Sequence, residues 1–139
     1  MRPLEVKEMD VRRAELPVPG FRSSRGGESR RPVVLVRLSA VVDGRDVVGW
    51  GEAAPLPAWG TETVGESEQR LQALEMPYGP VHLDELPLAF PTLEASPAAR
   101  FAIETACLDA LARTLETSVA QLLSPDSVAP LAVPVNGTL

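Results

Sequence analysis

The sequence predicts an α+β domain in which a three-stranded antiparallel meander packs on a small helical bundle. Two runs of alternating apolar residues flank Asp43-Gly44, and from Pro97 onward apolar residues recur at helical spacing. At 139 residues the chain has the length of one domain and can bury a core without metal or disulfide support.

Leu4 to Leu16 reads as the first strand, with Leu4, Val6 and Val11 among polar residues and Pro17 and Pro19 closing it. Residues 17–31 have loop composition: two prolines, three glycines, three serines and four arginines. Pro32 to Val42 is the second strand. Val34, Val36, Leu38 and Ala40 share one face, and Val33, Leu35 and Val41 on the other predict burial on both sides over part of its length. Asp43-Gly44 suits a primed hairpin turn, because glycine accepts positive φ, and Asp46 to Glu52 is the returning strand.

Thr61 or Thr63 caps a helix running to about Leu74, Thr63 with Glu66 forming a capping box. Val64, Leu71 and Leu74 mark its apolar side, and Gly65 weakens it. Residues 76–95 carry four prolines and read as an irregular connection. Ser96-Pro97 is a helix start, the serine accepting from the first free amides and the proline fitting the first helical position. From Pro97 to about Leu115, Ala99, Ile103, Ala106, Cys107, Ala110 and Leu111 fall on one face, widened by Phe101, Leu108 and Leu115. Arg100 and Glu104 are spaced to pair across one turn. Ser118 to Gln121 is a second capping box opening a short helix to Leu123, and Leu131 to Val135 reads as one more strand.

Aromatics are only 4% of the chain, so its core rests on Leu, Val and Ala. The net charge of −6 argues against a nucleic-acid partner, although residues 1–37 hold nine basic side chains against five acidic. No apolar run approaches the roughly 18 residues of a membrane span. A single cysteine and no opening signal segment lead us to expect a cytoplasmic protein.

Few side chains invite a catalytic reading. Lys7, the only lysine, stands on the first strand between Glu5 and Glu8 and reads as solvated. His82, the only histidine, sits in a Pro-flanked loop beside Asp84 and Glu85, without the further ligands a metal site needs. Cys107 lies on the apolar helix face and reads as core. Glu52 has no partner carboxylate and reads as a structural residue tying the turn after its strand. The loop of residues 17–31 is the exception. Arg22, Arg25, Arg30 and Arg31 around Gly26-Gly27 suit a mobile cationic lid over an anionic ligand, since guanidinium grips carboxylate at two points.

Three stretches carry a family resemblance: Gly49 through Pro57 with Trp59-Gly60-Thr61-Glu62-Thr63, Pro97 through Ala106, and Val133 through Gly137. Together they resemble the N-terminal cap domain of the enolase superfamily, in the mandelate racemase/muconate lactonizing enzyme group. Pro55-Leu56-Pro57 and the Gly-Thr-Glu-Thr after Trp59 are most similar to o-succinylbenzoate synthase. The resemblance implies a cap over residues 1–130, with 131–139 starting the segment into a catalytic (β/α) barrel. One departure is Glu116-Thr117 after the main helix, where the family often has glycine.

In that family, barrel lysines act as acid and base, and three barrel carboxylates hold Mg2+ against an enolate. The parent reaction would be a magnesium-dependent syn-dehydration, a lyase step giving o-succinylbenzoate in menaquinone biosynthesis. Those positions lie outside these 139 residues, so we expect no catalytic residue and no bound metal here, and no turnover by the chain alone. The resemblance assigns the substrate-proximal cap loops to Phe21, Arg22, Ser23, Ser24 and Arg25, and to Pro57, Ala58 and Trp59. The expected partners are an anionic small-molecule substrate and the barrel of the same enzyme. Self-association through Phe101, Ile103, Leu108 and Leu111, too broad an arc for one sheet, is the other expected partnership. The alternatives are the cap of an N-acylamino acid racemase or dipeptide epimerase, both isomerases, and, in another class, a free-standing binding module.

Overall fold

Strand β1 (Glu5–Pro17) pairs antiparallel with β4 (Arg30–Val42), which pairs antiparallel with β5 (Arg45–Ala53), giving the sheet order β1-β4-β5. The computed structural model describes residues 3–18, 22–23, 26–27, 29–77, 79–126 and 134. The predicted strand at 131–135 and the passage beyond it therefore lie outside the described residues, apart from Pro134.

The register between β1 and β4 shifts between Val6 and Glu8. That bulge lets Val6, Met9 and Val11 all pack on the core, which strict alternation would forbid for Val6 and Met9 together. On β4, Val34, Val36, Leu38, Ala40 and Val42 are buried toward the helices. Val33 is buried on the opposite face, with Leu35 and Val41 half-buried, as the sequence pattern required. The β4–β5 turn has Asp43 and Gly44 at φ 51 and 74, the paired positive values of a type I′ hairpin.

The β1–β4 connection is shorter than its composition suggested. Pro17 pairs with Arg30 and Leu16 with Arg31, so Arg30 and Arg31 belong to β4 and not to a loop. Arg31 donates to the carbonyl of Ala54 at 2.9 Å, and Arg30 lies 3.2 Å from a Glu15 carboxylate oxygen. Between them, β2 (Arg22–Ser23) pairs with β3 (Gly26–Gly27) as a small ladder at the hairpin's tip.

Helix α1 (Val64–Gln72) carries the predicted capping box, the Thr63 hydroxyl accepting from the Glu66 amide at 3.2 Å and Glu66 accepting from the Thr63 amide at 2.7 Å. The connection at 76–95 is more ordered than its prolines suggested. Val81 bridges to Leu4, short 3-10 turns span Leu86–Leu88 and Pro91–Leu93, and Leu86, Phe90 and Leu93 are buried. Helix α2 (Pro97–Thr114) lies across β4 and β5. Of the four residues expected to form an exposed apolar surface, Phe101 is 61% exposed, whereas Ile103, Leu108 and Leu111 are buried. One sheet and its neighbours therefore cover more of the arc than its breadth suggested.

Gly49 and Gly51 explain how closely α2 lies. A Cβ on Gly49 would fall 1.9 Å from the Ala106 carbonyl oxygen, and one on Gly51 would fall 1.8 Å from that of Ala102. Backbone meets backbone there, and no side chain fits between. On the free edge of β5 the Trp50 amide is also taken, donating to Asp109 on α2 at 2.9 Å.

Helix α2 ends on Glu116 at φ 52, with the Thr117 amide donating to the Ala112 carbonyl at 3.0 Å and that of Glu116 to Arg113 at 3.3 Å. This Schellman cap is built without the usual glycine. In α3 (Val119–Leu123) the Ser118 hydroxyl accepts from the Gln121 amide at 3.0 Å. The Gln121 side chain, however, donates to the carbonyl of Pro125 at 2.9 Å and does not close the reciprocal half of the box.

Candidate cap face

Both loops singled out by the sequence leave the same end of the sheet. Pro17 and Arg30 pair at the β1–β4 end that carries the hairpin tip, while Val34 opposite Ala53 marks where β5 runs into the following turn. The Arg31 bond to Ala54 ties the two departures together. The backbones of Arg22 and Ser23 sit in the tip ladder. Phe21, Ser24 and Arg25 lie outside the described residues.

Pro57, Ala58 and Trp59 form a 3-10 turn, with Trp59 57% exposed. The Trp59 amide donates to Leu56 at 2.8 Å and that of Gly60 to Pro57 at 3.0 Å, Gly60 adopting φ 94. Thr61 closes the neck, its hydroxyl accepting from the Leu56 amide at 2.6 Å and donating to the Glu62 carbonyl at 3.1 Å. The neck is thus Thr61's work, while Glu52 stands half-buried on β5 opposite Leu35.

Glu62 is the residue the sequence reading missed. Its carboxylate accepts from the amides of Ala99 at 2.8 Å and Ala98 at 3.3 Å, and from the Ser67 hydroxyl at 3.0 Å. The cap expected from Ser96 is absent: that hydroxyl makes no bond to the helix and is buried without a partner. An anion at a helix N-terminus also answers the positive end of the macrodipole, which a neutral serine does not. The only local hint was an acid between two threonines that each hold a turn or a helix.

Several other acids pair with an arginine. Glu68 takes Arg13, Glu104 takes Arg100 at 2.7 Å, and Asp109 takes Arg113 at 2.9 Å. The bond to Glu104 holds the Arg100 guanidinium pKa above its usual value. The Thr63 amide, and then its hydroxyl, hold the Glu66 carboxyl below the usual range. Among the described residues no three His, Cys, Asp or Glu side chains gather where a metal ion could sit. His82 is half-buried, its amide donating to Glu85 at 3.4 Å, and Lys7 pairs with Glu5 at 2.6 Å. Burial pushes the Cys107 thiol up to about 12, as an inert core residue requires. No helix among the described residues is long and apolar enough to cross a membrane.

A small antiparallel sheet under a long helix, with two loops leaving one sheet end, defines the cap class of the enolase superfamily. The profile of the mandelate racemase / muconate lactonizing enzyme N-terminal domain matches residues 5–124, and the chain belongs to that family. A mandelate racemase/muconate lactonizing protein from Herpetosiphon aurantiacus is 25% identical with a TM-score of 0.64, over 80% of this chain and 32% of that one. The corresponding enzyme from Roseiflexus sp. is 27% identical with a TM-score of 0.57, over 81% of this chain and 30% of its own. A dipeptide epimerase from Enterococcus faecalis V583, solved with Mg and L-Leu-L-Tyr, shares the fold at 21% identity and a TM-score of 0.69, over 86% of this chain and 34% of its own. The chain thus spans about a third of the length of these solved relatives. Among curated proteins none matches.

Proposed function

We propose that the chain is the cap of an o-succinylbenzoate synthase-like enzyme, closing over an anionic substrate held in a barrel domain. What supports this is the departure of the arginine-bearing hairpin and the Pro57–Trp59 turn from one end of the sheet. Two loops on one rim are placed to exclude water from a site beneath them and to select what enters it. Magnesium and the acid–base lysines belong, in this reading, to the barrel, and the cap contributes binding, closure and specificity. Leu56, Trp59, Leu88 and Phe101 are exposed near the N-terminal turns of α2, and the barrel or a second copy of the chain would cover them. A cytoplasmic setting goes with this reading.

The experiment is a substrate panel run with magnesium on the cap joined to a barrel of the family, and on the 139 residues alone. Release of o-succinylbenzoate by the joined protein only, with Trp59→Ala raising KM, is the expected result. Exchange of the α-proton in N-acylamino acids or dipeptides, with no dehydration, would assign the racemase or epimerase alternative. Turnover by the 139 residues alone would overturn the division of labour itself.

A further inference from the structure

Three consecutive side chains, Thr61, Glu62 and Thr63, each fasten a different piece of the rim. Thr61 closes the neck of the Leu56–Thr61 turn, and Thr63 caps α1. Glu62 reaches 36 and 37 residues along the chain to cap α2, and holds Ser67 of α1 with the same carboxylate. On its other side the turn grows from Ala53 and Pro55, both buried at the end of β5. A turn anchored in the core at one end is fixed in space only if its second end is also anchored. Thr61 closes the turn on itself but does not tie it to α2. The bond from Glu62 to the Ala98 and Ala99 amides does.

We propose that Glu62 is the positioning residue of the cap's Pro57–Trp59 turn, setting where Trp59 stands by clamping the turn's outgoing end to the N-terminus of α2. The proposal rests on the reading that this turn borders the substrate, but the clamp itself is testable without a substrate. Its chemistry suits the task. A carboxylate offers four lone-pair directions to three donors, and charge-assisted bonds of this kind are stronger than the neutral ones a serine cap would make. It also accounts for Ser96, whose hydroxyl has been displaced from the capping role. The clamp gives the rim a rigid attachment to α2, the helix whose backbone rests directly on β5.

The test uses the 139-residue chain with Trp50→Phe, which leaves Trp59 as the one tryptophan reporter of the original two. Glu62→Ala should lower the steady-state anisotropy of Trp59 and speed amide exchange at Ala98 and Ala99 about tenfold, the loss of one charge-assisted bond. Glu62→Gln retains one acceptor oxygen in the right place, so it should keep Ala99 protected, expose Ala98, and restore most of the anisotropy. Thr63→Ala loosens α1 by a comparable amount and should leave Trp59 as it was. The proposal is overturned if Glu62→Ala frees the two amides while Trp59 keeps its anisotropy, for then Glu62 is a helix cap and nothing more. It is equally overturned if Thr63→Ala moves Trp59 as far as Glu62→Ala does. Should Glu62→Ala fail to fold, Glu62→Gln decides between the outcomes, because a loss of protection at both Ala98 and Ala99 with no change at Trp59 contradicts the clamp. Altered specificity in Trp59 variants alongside a failed clamp would leave the substrate reading standing, and the reverse pattern would leave the clamp.

Discussion

The middle of α2 and its N-terminus are held by different kinds of force. From Ala102 to Ala110 the helix rests on β5 without intervening side chains, its carbonyls occupying the space that Gly49 and Gly51 leave open. At Ala98 and Ala99 it is held instead by a single carboxylate arriving from the turn after β5. The first contact is backbone against backbone and leaves no room for an added atom. The second is polar, directional and made by one residue. Close packing fixes the helix on the sheet, whereas the attachment of the Pro57–Trp59 turn is given to hydrogen bonds, which one substitution can release.

Substitution against the packed middle should give the largest effect. Gly51→Ala places a methyl group 1.8 Å from a carbonyl oxygen of the helix backbone, which no rotamer change can relieve. The cost should exceed the roughly 1–3 kcal/mol of ordinary overpacking and remove a large part of the stability of a domain this size. Urea unfolding followed by circular dichroism would show it as a collapsed midpoint. A variant that unfolds like the parent would mean that α2 stands further from β5 than described, and that the contrast between its middle and its N-terminus is false.

At the capping box of α1, the other polar attachment near this turn, the expected losses are smaller and depend on pH. Thr63→Ala removes a side-chain cap and should cost about 1 kcal/mol. Glu66 adds a pH signature through its bonds to the same residue. Because its pKa is lowered on folding from an ordinary value near 4.5, its contribution is fully present above that value. The contribution is then lost as pH falls through the lower folded value. Glu66→Gln should therefore flatten the acid side of the stability profile. An unchanged slope below that pH would show that the capping box carries no charge-dependent part.

Legibility from sequence follows the same divide. The sheet, its hairpin turn and α2 were readable because burial imposes a period, and a period survives in one dimension. So did the capping box at Thr63, whose partners are three residues apart. Glu62 left no such trace, since its partners lie 36 and 37 residues away and no local pattern encodes a contact at that range. Gly49 and Gly51 were visible only as part of a family motif; their physical role needs the helix in place. The exposed apolar surface was drawn too wide for a related reason, since of its four residues only Phe101 is exposed. Helical spacing locates a residue on an arc, but whether that arc is covered depends on which neighbours arrive, and here none covers Phe101. Arg30 and Arg31 were read as loop because composition outweighed pairing, although strand ladders accept arginine readily where its side chain finds a partner.

The smallest effect concerns the far end of α2, where the chain departs from its family's habit. Glu116 holds φ 52, a left-handed conformation that costs an L-residue roughly 1–2 kcal/mol. The two backbone bonds of the Schellman cap offset this strain, and they do not depend on the side chain at that position. Glycine would remove the strain but would also enlarge the entropy of the unfolded chain by a comparable though smaller amount. Glu116→Gly should therefore stabilise the domain by about 0.5–1 kcal/mol, read as a small upward shift in the urea midpoint with an unchanged slope. Glu116 is exposed, so no lost contact should obscure the result. Destabilisation by glycine would mean that the Glu116 side chain supports α2 directly. The helix would then be held by side-chain chemistry at both ends, with backbone packing confined to its middle.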